Sequence, residues 1–110
     1  MKPPTNGPIY AALYAELATL FRSCGYALAI HGSLARDFDL VAIPWAKTIT
    51  SREEVLQKMT SEFALKITKG PTEMNHGRLA YSVNISHGTC YIDLSFVLIE
   101  SGSDELTTNE

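Results

Sequence analysis

Two cysteines in 110 residues, Cys24 and Cys90, are too few for a disulfide framework. No apolar run approaches the ~18–20 residues that span a bilayer, so no membrane partner is expected. Nine Lys+Arg against twelve Asp+Glu leave a formal charge of −3. That balance lacks the basic excess of a sequence-independent nucleic-acid clamp. His31, His76 and His87 show no H-x₃-H pattern and the cysteines no C-x₂-C, which argues against a zinc site. G-x-S-x-G is also missing, so Ser33 is not the nucleophile of a hydrolase elbow. Met1 to Pro8 is polar and Pro-rich, without the basic-then-apolar order of a secretory signal. The expectation is a cytoplasmic protein with free thiols.

What is present is the composition of a globular chain, 45% hydrophobic and 19% charged, with length for one core. Residues 1–8 read as an N-terminal arm, 9–98 as a single domain and 99–110 as a polar tail. Ile9, Tyr10, Leu13, Tyr14, Leu17, Leu20 and Phe21 recur at helical spacing, which predicts a helix over about 8–23, stopped by Gly25. Tyr26 to His31 and Asp37 to Ile43 are short apolar runs bounded by Gly and Pro and read as strands. Ser51-Arg52-Glu53-Glu54 has the capping-box form and opens a second helix through Val55, Leu56, Met59 and Phe63. Leu65 to Thr68 is a short strand or the helix exit, and Lys69 to Gly77 a polar loop. Leu79, Tyr81, Val83 and Ile85, then Ile92, Leu94, Phe96 and Leu98, alternate with other residues across a turn and predict a hairpin. The fold class is α+β: a small mixed sheet packed on one face by two helices, in the order α-β-β-α-(β)-β-β.

Three aspartates fall inside these strands. Asp37 and Asp39 point to one face, with Cα atoms about 6.6 Å apart at the usual ~3.3 Å rise. Asp93 lies on the face opposite the apolar row Ile92, Leu94, Phe96. Aspartate packs poorly in strands, and converging carboxylates repel one another unless a cation intervenes. Hard oxygen donors of this type suit Mg²⁺ or Mn²⁺. The plainer readings are a turn cap at Asp37, and a solvated Asp93 or one paired with Arg78 or a lysine.

The segment His31-Gly32-Ser33-Leu34-Ala35-Arg36-Asp37-Phe38-Asp39-Leu40 resembles the signature of the nucleotidyltransferase superfamily typified by DNA polymerase beta. That signature is an apolar strand, then Gly-Ser, then an apolar-flanked D-x-D on the next strand, with a third carboxylate on a later one. Asp93 in Tyr91-Ile92-Asp93-Leu94 matches the third in order and context. The resemblance implies a nucleotidyltransferase-like core. Gly32 and Ser33 would hold the phosphates of a nucleoside triphosphate, with Arg36 and Arg78 meeting their charge. Asp37 and Asp39 would bind two Mg²⁺, and Asp93 would help hold the catalytic ion and deprotonate an acceptor hydroxyl. The reaction implied is transfer of a nucleoside monophosphate with release of pyrophosphate.

Arg36 to Trp45 is also similar to the R-D-x-D-L-x-A-x-P-W segment of short phage and prophage proteins, a likeness that carries no activity with it. Between Gly-Ser and the first aspartate stand only Leu34-Ala35-Arg36, where the family has a longer segment, often with a helix whose N-terminus faces the triphosphate. Family enzymes commonly add a helical domain that grips the base or acceptor, a surface for which this chain would need a protein partner. Both departures keep open a second reading, a non-catalytic nucleotide- or protein-binding module with the same fold. A metal-dependent phosphodiesterase using the same acids is a third.

Overall fold

A computed structural model describes residues 7–32, 37–75, 77–85 and 91–98, with residues 7–9 and 37 described through their backbone. The expected arm, the Ser86–Thr89 turn and the polar tail lie wholly or mostly outside these residues, as do His76, His87 and Cys90.

The order is α1 (Gly7–Ser23), β1 (Tyr26–His31), β2 (Asp37–Pro44), α2 (Arg52–Phe63), β3 (Leu65–Met74), β4 (Arg78–Ile85) and β5 (Tyr91–Val97). The five strands form one sheet in the order β1-β2-β5-β4-β3. β1 pairs antiparallel with β2, β2 parallel with β5, and β5 antiparallel with β4, which pairs antiparallel with β3. The sheet is therefore mixed, and its one parallel contact joins the two strands that carry the aspartates.

Both helices serve one face. Tyr10, Leu17 and Phe21 of α1 are fully buried, as is Val55 of α2, with Leu56 and Met59 nearly so. They meet Phe38, Leu40 and Ala42 of β2 and Ile92, Leu94 and Phe96 of β5 in one core. Tyr10 stacks on Phe38 at 4.8 Å between ring centroids, and Phe96 packs against Phe21, Tyr26 and Tyr81 at 6.0, 5.5 and 5.9 Å. Ser51 caps α2 by accepting a hydrogen bond from the Glu54 N–H at 3.3 Å, and Ala64 closes the helix in a left-handed conformation.

The segment 69–77 corrects the sequence reading. Lys69 to Met74 is not loop: β3 runs ten residues, to Met74. The polar composition concealed it because the strand slips register twice, between Ile67 and Lys69 and between Lys69 and Thr72. The pairing steps from Ile67↔Val83 to Lys69↔Ser82, two residues against one, and then to Thr72↔Ala80, three against two. Each slip is a bulge that inserts one residue. From Ile67, the two-residue period alone would aim Lys69 at the core. The first bulge turns it to the other face. Gly70 sits at the second with φ +117°, and a Cβ there would lie 2.7 Å from the Ala80 carbonyl oxygen.

Candidate functional site

The face away from the helices carries the chemistry. Pairing partners stand side bv side across a sheet and alternate residues share a face, so the registers define rows. One row crosses all five strands: His31↔Asp39, Asp39↔Asp93, Asp93↔Ser82 and Ser82↔Lys69. It places an imidazole, two carboxylates, a hydroxyl and an ammonium in line. The next row is Ala29, Val41, Ser95, Ala80 and Thr72, mostly small side chains. Beyond it Arg78 stands between Val97 and Met74. These rows line a groove of about 370 Å³. Its acids lie in the middle and its cations, Lys69 and Arg78, toward the β3–β4 side.

Asp39 is half-buried and Asp93 exposed. Their strands run parallel, so the two Cα atoms are separated by one strand spacing, about 4.8 Å. The structure thus brings together two of the three expected acids, from distant parts of the chain. Asp37 is the Cα partner of Tyr91, one row along and two residues from Asp39 on the same strand. Its backbone places it on the aspartate face. Among the described residues no three His, Cys, Asp or Glu side chains converge to hold a metal. Two adjacent carboxylates offer hard oxygen donors to one divalent cation.

Gly32 is held against Asp39. A Cβ at this glycine would lie 3.0 Å from Asp39 Oδ2. The expectation gave Gly32 to a phosphate; its backbone here borders the carboxylate. Ser33 and Arg36, the other expected phosphate contacts of this turn, lie outside the described residues. Arg78, half-buried at the start of β4, lines the groove as the fourth of that group.

Sequence reasoning missed Lys69, Thr72 and Met74 as groove residues because it placed them in a loop. The available signal was Gly70-Pro71 directly after the Leu65/Ile67 alternation. Inside a strand, Gly and Pro mark a bulge as readily as an end. Trp45 is 66% exposed and is not among the groove residues.

No helix among the described residues is long and apolar enough to cross a membrane. No protein-family model matches this chain, and neither a curated protein nor a solved structure does.

Proposed function

We propose that the chain is a small divalent-metal-dependent nucleotidyltransferase working on the open face of its sheet. The observation that carries this reading is the Asp39↔Asp93 register: two acids from separate segments are neighbours on a face that also offers cations. Asp39 and Asp93, joined by Asp37, would hold Mg²⁺ or Mn²⁺. The bound ion would neutralise the charge that gathers on the phosphates at the reacting centre. Asp93 accepts the proton of the acceptor hydroxyl. The acceptor oxygen bonds to the α-phosphorus, the bond from that phosphorus to the bridging oxygen breaks, and pyrophosphate leaves with the electron pair. Gly32, Ser33, Arg36 and Arg78 would contact the phosphates. Most of the work is positioning and electrostatics, which a short rigid sheet can supply.

The second reading, a binding module without turnover, is favoured by the three-residue link Leu34-Ala35-Arg36. Two measurements together separate them. A ligand that binds only the native state raises Tm by mass action. Titration with Mn²⁺ is expected to raise the Tm of the wild type and not of Asp39→Ala. Pyrophosphate release from nucleoside triphosphates is expected to vanish in Asp37→Ala. A wild type indifferent to both Mn²⁺ and Mg²⁺ refutes the metal site. A Tm shift without pyrophosphate release, over a panel of acceptors, selects the binding module.

A further inference from the structure

Lys69 is the residue the bulge re-aims. It ends the polar row, exposed, two strands from Asp93, or about 10 Å between Cα atoms at the usual spacing. Arg78 lies four residues from Ser82 on β4, about 13 Å along the strand, with the small-residue row between. Long side chains from both positions reach over that floor. Neither cation has a carboxylate within ion-pair distance among the described residues, where the one ion pair is Arg52–Glu53 outside the groove. The floor beside them carries the hydroxyls of Ser82, Ser95 and Thr72. Two cations that line one groove beside these hydroxyls, neither in an ion pair among the described residues, form an anion-binding wall rather than a structural ion-pair network. Phosphate suits it: the guanidinium offers a planar fork and the ammonium a compact charge.

We infer that Lys69 and Arg78 hold a pyrophosphate group, so that the leaving end of the ligand's phosphate chain lies over β3 and β4. The ligand's identity as a nucleoside triphosphate rests on the reading above; the anion wall does not, because it needs no metal. The proposal gives the groove a direction. The leaving pyrophosphate lies on the Lys69 side of the acids, and the acceptor approaches from the His31 side.

The test uses the full chain, inorganic pyrophosphate as probe, and isothermal titration at low salt in EDTA. Lys69→Gln and Arg78→Gln are each expected to weaken binding roughly tenfold, the loss of one charge-assisted contact. Lys69→Arg is expected to retain it. Lys58→Gln removes the same charge from the exposed side of α2 and is expected to change affinity less than about twofold. Asp39→Asn, in EDTA, is expected to bind pyrophosphate at least as well as wild type. The inference is overturned if wild type does not bind pyrophosphate, if the Lys69 and Arg78 variants bind as wild type does, or if Lys58→Gln weakens binding equally. Melting curves near wild type for the glutamine variants show that a lost affinity is not a lost fold. Pyrophosphate binding that depends on Lys69, in a protein indifferent to Mn²⁺, would remove the nucleotidyl-transfer reading and leave the anion wall standing. A Mn²⁺ shift with no Lys69 dependence would do the reverse.

Discussion

Gly70→Ala is the sharpest test of the bulged strand. Gly70 has φ +117°, a backbone region that residues with a Cβ rarely adopt. The added Cβ would lie 2.7 Å from the Ala80 carbonyl oxygen and 3.0 Å from the Tyr81 Cα. Both are backbone atoms of the neighbouring strand, so neither moves without parting β3 from β4. Backbone strain of this kind costs about 1–3 kcal/mol, and overpacking adds about 1–3 kcal/mol. Alanine returns about 0.4–1 kcal/mol by restricting the unfolded chain. A net loss of about 3 kcal/mol lowers Tm by roughly 12–24 °C in a domain of this size. The control is Gly77→Ala, where φ is +68° and nothing lies within 4 Å of the added atom. It makes the same change in the unfolded state, and its native cost is the left-handed conformation alone, about 1–2 kcal/mol. Differential scanning calorimetry of the two variants isolates the steric part. If they melt within about 3 °C of each other, the close approach of β3 and β4 at Gly70 is refuted, and with it the bulge that aims Lys69.

Two further outcomes are expected. Phe96 is fully buried between three aromatic rings, so Phe96→Ala should cost about 3–5 kcal/mol in urea unfolding; a loss below about 1 kcal/mol would deny it the centre of the core. Burial pushes the Tyr26 phenol above its ordinary range, partly offset by the Arg52 guanidinium, while its O–H donates to the Thr50 carbonyl at 2.8 Å. A raised folded value means that the native state keeps this proton longer than the unfolded chain. The associated stability is therefore whole below about pH 10 and is lost as pH rises through the folded value. Urea midpoints of wild type and Tyr26→Phe between pH 8 and 11 should show a steeper alkaline fall in wild type, and parallel curves would contradict it.

Local patterns in the sequence were enough for the elements whose chemistry is local. The capping box at Ser51 forms its hydrogen bond to Glu54, and the alternation of Leu79 to Ile85 and Ile92 to Phe96 becomes β4 and β5 with one face in the core. The period of two also put Asp39 and Asp93 on the face away from the apolar rows. It contained nothing about β2 and β5 becoming neighbours. The parallel β2–β5 pairing depends on how two segments far apart in the chain share one core, and no short-range signal encodes that. Lys69 was hidden for a different reason. A bulge breaks the periodicity that sequence reading relies on, and Gly70-Pro71 looks the same whether it ends a strand or kinks one.

The kinks in β3 also bear on how the molecule keeps to itself. A sheet border with regular free amides and carbonyls is a template for recruiting strands from other chains. The β3 border is broken twice, has a proline without an N–H at position 71, and displays Lys66 and Lys69. The opposite border, β1, is only six residues long, and the Tyr14 hydroxyl of α1 donates to its Leu28 carbonyl at 2.6 Å. Each margin is blunted by its own device, so intermolecular strand addition, the usual start of fibril growth in small sheet proteins, finds no long straight rail on either side.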